Sequence, residues 1–171
     1  MVIDKPLFLV GFMGTGKSTV GALLAARWGM QFVDVDARIE QEQGATIQEI
    51  FAARGEASFR EMESSTLRLI AAEPPQVVAV GGGALVRPEN LALLKQAGTL
   101  VCLRASPDTI LQRVGDAATR PLLAKAPDKR AEVVRLLQMR EPFYAQSHLF
   151  VDTDGLAPSQ VASRIEAEVC R

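Results

Sequence analysis

Residue types that build disulfide frameworks and many metal centres are scarce in this 171-residue sequence. It contains two cysteines and one histidine. Cys102 and Cys170 lack the spacing of a metal-binding pair, so both are expected to be free thiols in a reducing compartment. His148 has no obvious catalytic acid or nucleophile as a partner in the sequence and is interpreted as structural. The shortage argues against a disulfide-stabilised secreted protein.

Long hydrophobic runs and an excess of one charge are also missing. No apolar run approaches the roughly 20 residues that span a bilayer, and residues 1–6 lack the pattern of a secretory signal. The 19 basic and 20 acidic residues leave a net charge of −1, which creates no global field for nucleic acid or anionic lipid. We therefore expect a cytoplasmic protein without membrane or nucleic-acid partners, folded as one domain over residues 1–171.

A phosphate-binding motif is the strongest signal that the sequence does contain. Residues 11–18 have the spacing G-x-x-x-x-G-K-S, and the motif lies between an apolar strand and a helix start. Glycines at 11, 14 and 16 allow successive N–H groups to turn toward one anion, and the helix adds its N-terminal donors. Lys17 is expected to reach the β- and γ-phosphates of a nucleotide, and Ser18 to bind Mg²⁺. The alternative is an ordinary glycine-rich turn, which the complete motif makes much less attractive.

Extended and helical patterns alternate along the chain. This order predicts a doubly wound α/β domain, in which a parallel sheet has helices on both faces. The predicted strands are Leu7–Val10, Phe32–Val35, Val77–Val80, Leu100–Leu103 and Leu149–Val151. The predicted helices cover approximately residues 17–28, a short segment after strand two, 46–51, 56–72, 88–96, 107–114, 128–147 and 159–170. Ligands of such sheets bind at the carboxyl ends of the strands.

Residues 115–127 interrupt this alternation without a sustained helical or strand period. A loop of this length in a compact domain is either disordered or functional, and a mobile lid is the usual functional case. Arg120 lies inside it, where a mobile arginine can offset charge during phosphoryl transfer. We predict a lid at about 115–127.

Two carboxylates follow the second predicted strand. Asp34 and Asp36 are two residues apart, so on an extended backbone both face the same side. We expect Asp34 to share the Mg²⁺ with Ser18, and Asp36 to meet a substrate hydroxyl. The alternative is that Asp36 only caps a helix beginning at Ala37, which leaves Asp34 without a role.

Glycines and arginines complete the set of candidate site residues. The tripeptide Gly81, Gly82 and Gly83 follows strand three and is expected to allow close approach of a substrate, although a flexible turn is the alternative. Arg60 shares a helix face with Glu56 and Glu63, a pattern typical of a solvated ion-pair face. Arg140 precedes Tyr144 by four residues and has the same structural interpretation when taken alone.

The ordered set of these motifs resembles the shikimate kinase family. The motifs are GFMGTGKST at 11–19, Asp34-x-Asp36, Gly55-Glu56-x-x-Phe59-Arg60, Gly81-Gly82-Gly83, Arg120-Pro121-Leu122-Leu123 and Arg140-x-x-x-Tyr144. The resemblance extends from strand one to Pro158. It implies a P-loop kinase domain with three αβα layers and sheet order 2-3-1-4-5, which periodicity could not have shown.

The same resemblance implies the reaction and the residues that carry it. ATP would phosphorylate the 3-hydroxyl of shikimate, with Mg²⁺ as cofactor, in a monomeric enzyme of aromatic amino acid biosynthesis. The implied catalytic residues are Lys17, Asp36 and Arg120. The implied ATP-binding residues are Gly14, Thr15, Gly16, Lys17, Ser18, Thr19, Arg113, Arg120 and Pro158. The implied substrate-binding residues are Asp36, Arg60, Gly81, Gly82, Gly83 and Arg140, and the implied metal ligands are Ser18 and Asp34.

Two other functions stay open at this stage. One is a kinase for another small acceptor, such as gluconate or a nucleoside monophosphate, in a similar P-loop domain. The other is a nucleotide-dependent switch that needs the loop, Lys17 and Ser18 but no polar acceptor pocket. Candidate acceptor-binding residues after several strands favour a kinase for a small carboxylated ring.

Overall fold

A computed structural model of the chain describes residues 3–115, 123 and 125–169. Its strands are β1 Leu7–Val10, β2 Phe32–Asp34, β3 Val77–Ala79, β4 Thr99–Arg104 and β5 Leu149–Asp152. Its helices are α1 Lys17–Trp28, α2 Val35–Gln43, α3 Ile47–Ala72, α4 Pro88–Ala97, α5 Pro107–Val114, α6 Lys129–Tyr144 and α7 Pro158–Val169, with a short 3₁₀ turn at Ala84–Val86. All the predicted strands are present; β1 has the predicted bounds, and no end of the other strands differs by more than one residue.

The strands form one parallel sheet in the order β2-β3-β1-β4-β5, as the family resemblance implied. β1 is central, because Leu7 aligns with Val77 of β3 on one side and with Thr99 of β4 on the other. The carboxyl ends of β1, β2 and β3 therefore meet at one edge of the sheet.

Both faces of β1 are buried, which explains its unbroken apolar sequence. Leu7 and Leu9 pack with residues of α1 and α7, whereas Phe8 and Val10 pack with residues of α3 and α4. Alternate side chains of a strand point to opposite faces, so a helix layer covers the sheet on each side.

Local signals set several helix ends. Thr46 and Glu49 form the predicted capping box at the start of α3. Gly29 ends α1 with φ 65°, and Ser106 accepts a hydrogen bond from the Thr109 N–H at the start of α5. Gly55, with φ 77° and ψ 172°, divides α3 as predicted, although the two halves continue as one kinked helix.

Parts of the prediction concern residues outside the described ranges. Within the predicted lid, only residues 115, 123 and 125–127 are described, and Arg120 is outside, as is Cys170. In the part of the chain that is described, no helix is long and apolar enough to cross a membrane.

Candidate active site

The phosphate-binding loop has the backbone conformation that its glycines predicted. Gly11, Gly14 and Gly16 have φ values of 131°, 76° and 92°, which side-chain-bearing residues rarely adopt. A Cβ on Gly11 would also lie 2.3 Å from the Leu103 carbonyl oxygen of β4. The loop is therefore packed against the neighbouring strand, and α1 begins directly after it at Lys17.

Side chains of the loop stabilise its turn. The Lys17 ammonium donates hydrogen bonds to the carbonyl oxygens of Gly11 and Phe12, at 2.9 and 2.8 Å. The Thr15 hydroxyl donates to the same Phe12 carbonyl at 2.7 Å and is 1% exposed. Gly14, Gly16, Lys17, Ser18 and Thr19 line a cavity beside the loop, whereas the Thr15 side chain is buried behind it.

Asp34, and not Asp36, caps helix α2. The prediction of an extended Asp34–Asp36 pair was wrong, because the strand ends at Asp34 and Asp36 lies in the first helical turn. Asp34 Oδ1 accepts hydrogen bonds from the N–H groups of Asp36 and Ala37, at 3.0 and 3.3 Å. Both side chains nevertheless line the same cavity. An acidic side chain in the first turn also interacts favourably with the helix dipole.

The Ser18 and Asp34 side chains form a pair that could hold a metal ion. The Ser18 hydroxyl donates to Asp34 Oδ2 at 2.5 Å, and both residues line the cavity beside Lys17. Among the described residues, no group of three or more His, Cys, Asp or Glu side chains could enclose a metal. Mg²⁺ in kinases needs only one or two protein oxygens, because water and phosphate supply its other ligands. The donor set therefore fits Mg²⁺.

The cavity has a volume of about 580 Å³ and lies at the carboxyl ends of β1, β2 and β3. It brings the phosphate-binding loop together with charged residues from helices that are distant in sequence. Its remaining lining residues are Met13, Asp34, Asp36, Glu40, Thr46, Ile47, Gln48, Phe51, Phe59, Arg60, Glu63, Ala79, Val80, Gly81, Gly82, Gly83 and Arg140. One space thus joins a nucleotide-type loop to a polar pocket.

Arg60 lies between two carboxylates of helix α3. It donates to Glu63 at 2.8 Å and to Glu56 at 3.3 Å, as the spacing indicated. The interpretation of this helix face as solvated was wrong. The Glu63 side chain is 0% exposed, the Arg60 side chain is 15% exposed, and both line the cavity. Burial raises the pKa of Glu63 above its ordinary value, although the Arg60 guanidinium acts in the opposite direction.

Arg140 lies in the cavity wall beside the phosphate-binding loop. The residue is 4% exposed, and its guanidinium carbon lies 5.2 Å from the centre of the Phe12 ring. Its Nε atom has no hydrogen-bond partner among residues 3–115, 123 and 125–169. A buried donor without a partner is costly in a folded protein, so this arginine has unused capacity to bind an anion.

Each residue of the glycine tripeptide faces a charged side chain. A Cβ on Gly81 would lie 2.8 Å from Glu63 Oε1 and 3.1 Å from Asp36 Oδ1. The corresponding position on Gly82 is 3.1 Å from Arg140 Nη1, and that on Gly83 is 2.5 Å from Arg60 Nη2. The absence of side chains at the three glycines therefore lets charged side chains pack directly against the backbone. This packing differs from the predicted close approach of a substrate, which stays a prediction.

Arg113 and Pro158, the candidate adenine contacts, do not line this cavity. Arg113 donates to the Thr153 hydroxyl and carbonyl, both at 2.8 Å, and to the Gly14 carbonyl at 3.3 Å. Pro158 is exposed and begins α7. Arg113 is thus hydrogen-bonded to the phosphate-binding loop. Among the described residues, no hydrogen bond joins Arg113 to Pro158.

Glu63 is a cavity-lining residue that the sequence did not reveal as part of the site. Its position three residues after Arg60 was visible, but the sequence could not show that this helix face is turned inward. Phe51 and Phe59, whose ring centres are 4.9 Å apart, were also missed as cavity-lining residues. Buried carboxylates and aromatic pairs have no local sequence signature, because their environment depends on the packing of α3.

The structure agrees with the structural interpretation of His148 and with the prediction of a free thiol at Cys102. His148 Nδ1 accepts a hydrogen bond from the Leu100 N–H at 2.9 Å, which helps to hold β5 against β4. Cys102 is buried in the sheet, and burial raises the pKa of its thiol to about 11. Neither residue lines the cavity.

Comparison with known proteins gives a consistent result over almost the whole chain. The family model described as shikimate kinase matches residues 13–170. Shikimate kinase of Thermodesulfovibrio yellowstonii is 44% identical over 165 residues, which cover 96% of this chain and 94% of that protein. Shikimate kinase of Geobacter sulfurreducens is 45% identical over 161 residues, covering 94% and 88% of the respective chains.

Solved structures extend this similarity to three dimensions. Shikimate kinase from Acinetobacter baumannii in complex with shikimate superposes with a TM-score of 0.94 at 36% identity, covering 97% of this chain and 93% of that one. A gluconokinase from Sinorhizobium meliloti has a TM-score of 0.63 at 17% identity, with 100% and 94% coverage, and shares the fold alone. The chain belongs to the shikimate kinase family.

Proposed function

We propose that this protein transfers the γ-phosphate of ATP to the 3-hydroxyl of shikimate, giving ADP and 3-phosphoshikimate. In metabolism, this reaction is a step toward chorismate and the aromatic amino acids. The observation that carries the proposal is the continuous cavity, which joins a phosphate-binding loop to Asp36 and two arginines. An acceptor with hydroxyls and one carboxylate matches this set of charged groups.

The loop side of the cavity binds the nucleotide. Lys17 and the backbone N–H groups of residues 14–19 contact the phosphates, and Ser18 with Asp34 holds Mg²⁺. When bound, the metal ion neutralises part of the phosphate charge. Arg113 and Pro158 flank the adenine in this proposal, and the link from Arg113 to Gly14 supports a position near the loop.

The remaining part of the cavity binds shikimate. Arg140 and Arg60 hold the carboxylate, and the planar guanidinium of Arg140 can form two parallel hydrogen bonds to it. The Gly82 N–H adds a further donor. Asp36 accepts the proton of the reacting hydroxyl, since phosphoryl transfer needs alignment and charge neutralisation more than a covalent intermediate. Glu63 joins this set because it holds Arg60 from behind.

A lid at about 115–127, with Arg120 at its centre, completes the proposed domain. Closing a lid would exclude water, which competes with shikimate for the terminal phosphate. Arg120 would add positive charge near the transferring phosphoryl group. We further propose that the protein works as a cytoplasmic monomer, which light scattering on the purified protein would test.

The decisive experiment is an acceptor series with purified protein, ATP and Mg²⁺. Shikimate, gluconate and a nucleoside monophosphate are each incubated, ADP release is followed by a coupled assay, and products are identified by mass. We expect a phosphorylated ring with shikimate only. Turnover of gluconate or the nucleotide in its place would indicate the other kinase functions, whereas slow ATP hydrolysis unaffected by any acceptor would indicate a switch.

A further inference from the structure

Tyr144 links the last turn of α6 to the glycine tripeptide. It is the sole tyrosine of the chain and is 5% exposed. Its hydroxyl donates a hydrogen bond to the Gly82 carbonyl oxygen at 2.5 Å. The two residues are 62 positions apart in sequence, so this contact exists only because α6 packs against the loop that follows β3.

Gly82 lies where three parts of the cavity meet. The position of its absent Cβ is 3.1 Å from Arg140 Nη1, 3.3 Å from the Gly11 carbonyl oxygen and 3.5 Å from the Met13 nitrogen. Movement of Gly82 would therefore change its spacing both from the Arg140 guanidinium and from the phosphate-binding loop. Because Gly82 has no side chain, these spacings depend on the position of its backbone alone.

Arg140 and Tyr144 are one helical turn apart and share a face of α6. The turn that contains them also contains Pro142, which has no N–H to donate within the helix. Helix ends fray unless other contacts hold them. The phenol supplies such a contact, and it does so four residues from the guanidinium that faces the cavity.

We propose that Tyr144 is a positioning residue that fixes the distance between the Gly82 backbone and the Arg140 guanidinium. The inference rests on the proposed function, in which these two groups contact the shikimate carboxylate. Tyr144 does not line the cavity, so it acts through Gly82 and Arg140.

The hydroxyl acts as a fixed donor and not as an acid or base. Burial raises the pKa of Tyr144 to about 12, against the opposing effect of the Arg140 guanidinium. The phenol therefore keeps its proton throughout the pH range of an ordinary kinase assay. Removing the hydroxyl should change shikimate binding without changing the pH profile of turnover.

The test compares Tyr144→Phe with wild-type protein. Loss of the hydroxyl leaves a buried carbonyl without its donor and loosens Gly82, so we expect the KM for shikimate to rise about 5- to 10-fold. The KM for ATP and kcat should stay within about twofold, because the interaction serves ground-state and transition-state binding equally. The pH profile of kcat should be unchanged.

Thr66→Val is the matched control. Thr66 is 2% exposed, and its hydroxyl donates to Glu42 Oε2 at 3.1 Å, away from the cavity. Both variants lose one buried hydroxyl, so similar losses of thermal stability are expected. Only Tyr144→Phe should raise the KM for shikimate; equal KM values in the two variants would overturn the positioning role.

Shikimate methyl ester, which lacks the carboxylate charge, sharpens the test. If Tyr144 acts through the carboxylate contacts, its replacement should weaken binding of the acid far more than binding of the ester. Equal losses for both ligands, or a parallel rise in the KM for ATP, would contradict the proposal. If the wild-type protein does not phosphorylate shikimate, the proposed function itself fails, which is a separate outcome.

Fluorine labelling of Tyr144 gives a spectroscopic readout that needs no amino-acid substitution. Incorporation of 3-fluorotyrosine places one fluorine reporter in the folded protein, at position 144 alone. Saturating shikimate should shift the fluorine resonance, because a carboxylate then binds beside the Arg140 guanidinium, and the ester should shift it less. An unchanged resonance on addition of shikimate would overturn the proposal even if Tyr144→Phe did not fold.

Discussion

Two arginine-centred clusters lie at opposite ends of the sheet, and they differ in how completely their charges are paired. The site cluster, Arg60, Glu63 and Arg140, lies at the carboxyl ends of the strands. The rear cluster, Arg38, Glu73 and Gln76, lies near the amino ends of β2 and β3 and lines a second cleft. The rear cleft has a volume of about 650 Å³, against about 580 Å³ for the site cavity.

Every side chain of the rear cluster takes part in a hydrogen bond. Arg38 donates to both oxygens of Glu73, at 2.7 and 2.9 Å, and to Glu42 at 3.1 Å. Gln76 donates to the same Glu73 carboxylate at 2.8 Å. The Arg38 and Glu73 side chains are 25% and 35% exposed, so water screens the pair.

The charged side chains of the site cluster are more buried than those of the rear cluster, and their hydrogen bonding is less complete. Within residues 3–115, 123 and 125–169, Glu63 Oε1 and Arg140 Nε have no hydrogen-bond partner although both are buried. Such atoms destabilise a fold unless a ligand or water satisfies them. Unused hydrogen-bonding capacity of buried charges, and not cavity size, therefore distinguishes the candidate active site from a stabilising surface network.

The largest expected effect comes from Asp36→Asn. An amide cannot accept the proton of the shikimate hydroxyl as a carboxylate does, so turnover should fall by about 10²- to 10⁴-fold. The KM for shikimate and the affinity for ATP are measured in parallel, and ATP binding should be retained. Normal turnover in this variant would remove Asp36 from the mechanism and would leave the cavity beside the site cluster without its proposed proton acceptor.

Arg140→Lys should have the next largest effect. The substitution keeps the charge but loses the planar fork, so the KM for shikimate should rise about 10- to 100-fold while ATP affinity changes little. Titration calorimetry with each ligand separates the two affinities. Arg38→Lys is the control from the rear cluster, and equal losses of shikimate binding in both variants would show that the two clusters do not differ in function.

Gly83→Ala tests the requirement for bare backbone. The added methyl would lie 2.5 Å from Arg60 Nη2, and a flexible guanidinium can move away from it. We expect about a tenfold loss of shikimate affinity, with a free energy of unfolding close to that of wild type because φ at Gly83 is −99°. Unchanged shikimate affinity, measured by calorimetry, would show that the position of Arg60 is unimportant.

Glu73→Gln should have the smallest effect, and only on stability. Hydrogen bonds from Arg38 and then Gln76 hold the pKa of Glu73 below its ordinary value of 4.5. The pair therefore stabilises the fold above pH 4.5, and this contribution is lost as the pH falls through the lower folded-state pKa.

Denaturant titrations of wild type and Glu73→Gln should differ by less than about 1 kcal/mol at pH 7, and the difference should shrink in acid. Kinetic constants should be those of wild type. A variant that loses shikimate turnover but keeps its stability would show that the rear cluster belongs to the functional site.

Features with a local physical cause were predictable from residue order. The phosphate-binding loop could be identified because G-x-x-x-x-G-K-S imposes one backbone path on about eight residues. The capping box at Thr46 and the break at Gly55 follow from the same kind of short-range constraint. The sheet order came from the family resemblance, since apolar strands of similar length do not specify their neighbours.

Features that depend on packing were not predictable in this way. The extended Asp34–Asp36 pair was not found because β2 ends one residue earlier than predicted, which makes Asp34 the cap of α2 and puts Asp36 in its first turn. Glu63 looked like a surface residue because an i,i+3 ion pair has the same sequence whether its helix face is turned outward or inward. The hydrogen bond from Tyr144 to Gly82 joins segments that the sequence does not relate.

Interactions within a few residues were enough to specify the strand-loop-helix unit that binds phosphate and the helix boundaries around it. Which charged side chains face the cavity, and which of their atoms lack a hydrogen-bond partner among the described residues, could be seen only in the folded molecule. Burial and pairing are properties of the packed sheet and helices, which bring Asp36, Arg60 and Arg140 within one cavity.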